Sequence, residues 1–174
     1  QCGMGRTGEL FAYEHYGIEP DIVTLAKALG GGLPLGAVLT SEAVSAAFGP
    51  GSHGSTFGGN PVCCAAGRAV LENVVEEGFL AHVKEMGTYL LEKLSVLADK
   101  YSFVQEIRGL GLMLGLELEF SGGEVVDRCR EKGLLINCAA KTVLRLLPPL
   151  NVTREQVDEA VAVLDSVFGE LNQQ

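Results

Sequence analysis

Residues 21–40 read D-I-V-T-L-A-K-A-L-G-G-G-L-P-L-G-A-V-L-T. Two short runs of β-branched and apolar residues, Asp21 to Leu25 and Gly36 to Thr40, enclose a turn from Gly30 to Pro34, the pattern of two buried strands flanking glycine punctuation. Between them stands Lys27, the only lysine before Lys84, with no charged residue within five positions on either side. An ammonium group in such poorly solvated surroundings is disfavoured as the charged form, which makes a lysine nucleophilic toward carbonyl groups. Lys27 is therefore a candidate Schiff-base lysine. The same pattern also suits a lysine that snorkels from a strand end with its head in water.

Working outward, G-M-G-R-T-G (3–8) reads as loop, and Phe11 to Tyr16 as a short helix ended by Gly17. After Thr40, Ser41 is placed to cap a helix to Phe48. A polar, glycine-dense loop from Gly49 to Gly59 then ends in Asn60-Pro61, a cap followed by a first-turn proline. Helical spacing continues through Val62, Ala65, Ala66, Ala69, Val70 and Asn73 toward Gly78, and a second stripe joins Phe79, Val83, Met86, Leu90, Leu94 and Leu97. Leu112, Leu114, Leu116 and Leu118 alternate with more polar neighbours as in a half-exposed strand. A helix from about Glu124 to Lys132 follows, closed by Gly133, then strands Leu134 to Cys138 and Val143 to Leu147. Thr153 and Gln156 make a capping box for a terminal helix. We expect a domain boundary at 78/79, with an α+β unit behind it.

The whole chain has 174 residues and 18.4 kDa, 47% apolar and 20% charged, values of an ordinary globular protein. Of 23 glycines, 13 fall in the first 60 residues, so the front is built around turns and close backbone approaches. A net charge of −9 with no basic run argues against nucleic acid and anionic membrane as partners. The uncharged stretch Ala28 to Ser41 is too short for a bilayer crossing and is broken by glycines and Pro34. Five cysteines without a C-x-x-C pair suit a reducing cytoplasm; Cys63, Cys64, Cys129 and Cys138 read as packing residues. His15, His53 and His82 lack ligand spacing, so no metal is expected. No targeting peptide is visible, and the start at Gln1 reads as a cut.

Two further sites invite chemistry. Gly54-Ser55-Thr56-Phe57-Gly58-Gly59-Asn60-Pro61 puts hydroxyls and backbone N–H groups just before a helix N-terminus, which suits a phosphate or, equally, an ordinary cap. Arg145 is the only charge between Lys141 and Arg154; it reads as an edge-strand arginine facing solvent, or as an inward guanidinium needing a carboxylate. Gly3, Gly5 and Gly8 fit G-x-G-x-x-G literally, without the strand that a dinucleotide site requires.

Taken in order, Q-C-G-M-G-R-T-G, D-I-V-T-L-A-K-A-L-G-G-G-L-P-L-G-A, S-T-F-G-G-N-P and L-R-L-L-P-P-L-N-V-T resemble the class III pyridoxal-phosphate-dependent aminotransferases. The resemblance runs the length of the chain and covers less than half of a family enzyme. It implies an α/β fold: the C-terminal portion of a fold-type-I transferase, with residues 1–78 belonging to the large, mostly parallel domain and 79–174 forming the small α+β domain. It implies pyridoxal 5'-phosphate as cofactor, Lys27 as the Schiff-base lysine and acid/base, and Thr56 binding the phosphate of the neighbouring subunit in a homodimer. It also implies Ser55 beside the substrate, Arg145 on a substrate carboxylate, and Gln1 near the cofactor's phenolic oxygen. The family's ring-nitrogen aspartate, phosphate-cradling loop, ring-stacking aromatic and second substrate arginine would lie upstream of Gln1, so residues 1–174 alone are expected to be inactive.

Within that family, A-Y-E-H-Y-G and L-G-G-G-L-P-L-G-A lean toward transfer of the δ-amino group of N-acetylornithine to 2-oxoglutarate in arginine biosynthesis. Ornithine, succinylornithine, succinyldiaminopimelate or 4-aminobutyrate remain alternative donors. A reading from another class is a non-catalytic oligomerising module.

Overall fold

The two runs around the glycine turn do form strands, β1 (Ile22–Leu25) and β2 (Ala37–Thr40), in a computed structural model that describes residues 2–173. They pair antiparallel, with Ile22 opposite Thr40 and Leu25 opposite Ala37. Both strands leave apolar side chains in the open: Ile22 is 53% exposed and Val38 64%. The turn between them contains a short 3-10 helix, Lys27–Gly30, closed by Gly31 in the left-handed conformation. An earlier 3-10 helix, Ala12–Tyr16, ends on Gly17 in the same way.

Ser41 caps α1 (Glu42–Ser45) by accepting from the Val44 N–H. The helix is shorter than the expected run to Phe48, because residues 47 and 48 close with tighter i→i−3 bonds before Gly49-Pro50 ends it. α2 (Pro61–Val74) starts at Asn60, whose Oδ1 accepts from both Val62 and Cys63, with Pro61 at the first position. The chain resolves into two compact units: Glu9–Leu80 with the residues up to Gly5, and the residues from Ala81 on with Arg6–Gly8.

The second unit holds most of the buried apolar residues. α3 (Phe79–Lys100) buries Val83, Met86, Leu90, Leu94 and Leu97 of the stripe read from its spacing, while Phe79, at the helix start, is only half-buried. A four-stranded antiparallel sheet follows: β3 (Val104–Leu110), β4 (Met113–Leu118), β5 (Asn137–Ala139) and β6 (Val143–Leu146), in the order β3-β4-β6-β5. Leu114, Leu116 and Leu118 are buried on the core side, as their alternation requires. α4 (Gly123–Glu131) and α5 (Arg154–Leu171) complete the unit. Thr153 and Gln156 form the capping box of α5. Phe168 of α5 meets Tyr101 and Phe103 edge-on at 5.5 Å and 5.3 Å.

Two strands depart from expectation. β3 gives no sequence signal because it is an edge strand: Gln105, Glu106 and Arg108 are exposed, which removes the alternation while discouraging edge-to-edge pairing. β5 begins at Asn137 rather than Leu134. The Leu134 N–H donates to Cys129 O, closing the end of α4 behind Gly133, so that stretch serves a helix cap instead of a ladder.

Candidate active site

In the first unit, Lys27 opens the 3-10 turn with φ +56°. A non-glycine residue in this region costs about 1–2 kcal/mol, and such outliers gather where surrounding structure imposes a functional geometry. The side chain is exposed, not enclosed as its apolar neighbours suggested, and it has no hydrogen bond or ion pair among the described residues. The reason is directional: Leu29 and Gly30 are the neighbours that become buried, and they pack toward α2. That seat is a glycine contact, since a Cβ on Gly67 of α2 would lie 3.2 Å from Leu29 O and 2.5 Å from a Leu35 methyl. The Lys27 turn is thereby fixed on α2, about 9 Å along the axis from Pro61 at 1.5 Å rise per residue.

The Ser55–Thr56 loop runs directly into that same helix. Ser55 Oγ accepts from the Gly58 N–H at 2.9 Å, and the Asn60 N–H donates to Phe57 O at 3.2 Å. The Thr56 hydroxyl has no partner among the described residues and is exposed. The free donors of the first α2 turn are engaged by Asn60, so the cap reading accounts for the helix end. What remains for an anion is the Thr56 hydroxyl and the loop. Gln1 lies outside the described residues.

In the second unit, Arg145 is half-buried on β6, an inner strand, which corrects its reading as an edge residue. No acid pairs with it among the described residues; its Nε–H donates to Asn137 Oδ1 at 3.2 Å. Sequence reasoning missed Asn137, because only the register Asn137 opposite Arg145 brings the two together.

It also passed over Arg6 within the glycine loop. The Arg6 guanidinium donates to Leu112 O at 3.2 Å and to Pro148 O, while the Leu112 N–H donates to Arg6 O at 3.0 Å. Burial pushes this guanidinium below the usual arginine value. Thr7 beside it is 7% exposed, and its hydroxyl lacks a partner among the described residues.

Burial pushes the Cys129 thiol up to about 11, the behaviour of a packing residue. Cys138 lies half-buried with Sγ 3.0 Å from Lys141 O. Cys64 is exposed on α2 and so does not pack as expected. Among the described residues, no cluster of His, Cys, Asp and Glu is placed to hold a metal ion, and no helix is long and apolar enough to cross a membrane.

Comparison with known proteins bears on these residues directly. The class-III aminotransferase family model matches residues 1–168. An acetylornithine aminotransferase of Methanocaldococcus jannaschii is 55% identical over 171 residues, 98% of this chain and 43% of that protein. One from Caldanaerobacter subterraneus is 54% identical over 172 residues, 98% of this chain and 44% of that protein. Among solved structures, Plasmodium falciparum ornithine δ-aminotransferase superposes with a TM-score of 0.94 at 32% identity, covering 100% of this chain and 45% of that one. Acetylornithine aminotransferase from Elizabethkingia anophelis gives 0.90 at 34% identity, covering 98% and 46%. The chain thus spans less than half the length of the relatives it matches.

Proposed function

Because the chain belongs to the class-III aminotransferases, a pyridoxal-phosphate-dependent family, we propose that the protein carrying it moves the δ-amino group of N-acetylornithine to 2-oxoglutarate in arginine biosynthesis. The observation that carries this donor is the succession of acetylornithine aminotransferases at 52–55% identity along 97–98% of the chain. Among solved structures, ornithine enzymes at 32–33% identity and an acetylornithine enzyme at 34% superpose alike, so the shared backbone does not choose between their donors.

The residues present fit the cofactor in kind: Lys27 has a primary amine for its aldehyde and Thr56 a hydroxyl for its phosphate, neither with a partner among the described residues. When bound, pyridoxal phosphate draws electrons from the carbon bearing the transferred amine. Lys27 Nζ removes the proton from that carbon and redelivers it, a role for which an exposed amine without a partner among the described residues, on a fixed turn, is suited. The Thr56 hydroxyl binds the phosphate in the site of the neighbouring subunit, so the protein works as a homodimer. Ser55 lines the substrate. Arg145 takes a substrate carboxylate, for which it has a guanidinium that no acid pairs with among the described residues. A net charge of −9 suits a cytoplasmic enzyme of small amino and oxo acids rather than a binder of nucleic acid or membrane.

The test uses the complete reading frame: load it with pyridoxal phosphate, reduce with borohydride, digest, and locate the modified peptide by mass. The label is expected on Lys27, with N-acetylornithine the preferred donor among ω-amino acids. Label confined to other exposed lysines such as Lys100 would remove the catalytic assignment.

A further inference from the structure

Pro148 lies just beyond β6, where the sheet register would carry the ladder one step further. β4 and β6 pair antiparallel with Leu116 opposite Leu144 and Leu114 opposite Leu146, and ahead of these pairs the Leu118 N–H donates to Thr142 O at 2.9 Å. In an antiparallel pair such bonded positions recur at every second residue, so the one after Leu114 and Leu146 sets Leu112 opposite Pro148. The usual bonds cannot form there. Proline has no N–H to give Leu112 O, and the Leu112 N–H donates to Arg6 O at 3.0 Å instead. The carbonyls of Leu112 and Pro148 are thus left without the donors that a ladder would provide.

Arg6 supplies both. Its guanidinium, a group of N–H donors with no acceptor, donates to Leu112 O at 3.2 Å and to Pro148 O. With the Arg6 carbonyl taking the Leu112 N–H, one residue stands in for the whole missing rung. Arg6 belongs to the second unit together with Thr7 and Gly8. Their seat depends on Gly111, which has φ +55°; a Cβ on it would lie 2.8 Å from Arg6 O and 2.6 Å from the Thr7 carbonyl carbon. Only a residue without a side chain lets the loop approach this closely.

Arg145 stands opposite Gly115, one residue before Leu146. Without the Arg6 rung the pair Leu114 and Leu146 would end the ladder, and ladder ends open most readily. We propose that Arg6 is a positioning residue for substrate binding: its guanidinium replaces the rung that Pro148 cannot make and so holds the end of β6 that carries Arg145 in one place for the substrate carboxylate. This rests on the reading of Arg145 as the carboxylate-binding residue.

The experiment compares wild type, R6M, R6K, R6M/P148A, R145Q and R6M/R145Q in the full-length holoenzyme. It reads kcat and KM for N-acetylornithine and 2-oxoglutarate, and the melting temperature. R6M is expected to raise about fivefold the KM of the same substrate whose KM R145Q raises, with kcat within about twofold. In R6M/R145Q no further rise is expected, since the side chain that Arg6 positions is gone. R6M/P148A is expected to recover part of the loss, because alanine at position 148 gives Leu112 O an N–H. R6K, whose ammonium lacks the planar fork, is expected to raise KM about threefold and carries the test where R6M does not fold. A lowered melting temperature with wild-type KM in R6M and R6K, a rise that adds in full to that of R145Q, or no recovery in R6M/P148A overturns the proposal. Unchanged KM in R145Q overturns instead the reading of Arg145 on which the proposal stands.

Discussion

Arg6 shows how much can depend on one side chain inside a loop that sequence reads only as glycine-rich. Its guanidinium reaches Leu112 just before β4 and Pro148 just after β6, so it joins the ends of two paired strands, the second of which carries Arg145. Charged donors to main-chain carbonyls are worth about 1.5–3 kcal/mol, and their loss strands the acceptors. Arg6→Gln is expected to lower unfolding stability by about 2 kcal/mol, measured by urea denaturation; an unchanged midpoint would show the clamp to be idle. Lys27 was legible because its chemistry follows from residue type and uncharged neighbours. Its exposure and its φ of +56° were not, since both depend on how the turn seats against Gly67.

At the scale of elements, α3 and α5 respond to glycine in opposite ways. Glycine inside a helix costs about 1 kcal/mol relative to alanine. In α3, however, a Cβ on Gly87 would lie 2.6 Å from backbone atoms of Gly111, which cannot swing aside, whereas on Gly169 of α5 the nearest atom is Tyr101 Oη at 3.4 Å. Gly87→Ala should therefore destabilise the protein and Gly169→Ala should stabilise it by about 0.5 kcal/mol, the two signs being read from melting temperatures. The same helices are tied by Asp165, which accepts from Lys100 Nζ and the Tyr101 hydroxyl, each at 2.7 Å. Those bonds, that from Lys100 foremost, hold its carboxyl below the usual range. A depressed folded value means that the contribution is present above the unfolded aspartate value of about 3.9 and is lost as pH falls through the folded one. The stability difference between wild type and Asp165→Asn should thus be constant from pH 7 to about 5 and shrink below about 4. A difference that persists at pH 2 in calorimetry would assign the effect to packing.

Across the whole chain, buried apolar residues are shared unevenly between the two units. In the first, the buried apolar side chains among the described residues are Met4, Leu29 and Val74, while Phe57, Phe48 and Val38 are 80%, 64% and 64% exposed; the second buries the leucine stripes of α3 and β4 together with Phe168. Amide exchange is expected to be fast over residues 22–40 and slow over α3, β4, β6 and α5, and equal protection in both would contradict this account. Apolar groups exposed in such number are unusual for a free surface, and the homodimer proposed above would cover part of them. By itself the sequence determined the helices, their caps, the leucine-alternating strand and the identity of Lys27, Ser55, Thr56 and Arg145 as candidates, because periodicity, capping chemistry and motif order are local along the chain. Only the tertiary structure decided that β3 forms, that β6 lies inside the sheet, and that Asn137 and Arg6 act on distant groups. Strand register and loop closure join residues far apart in sequence, and no local pattern records which partners they will meet.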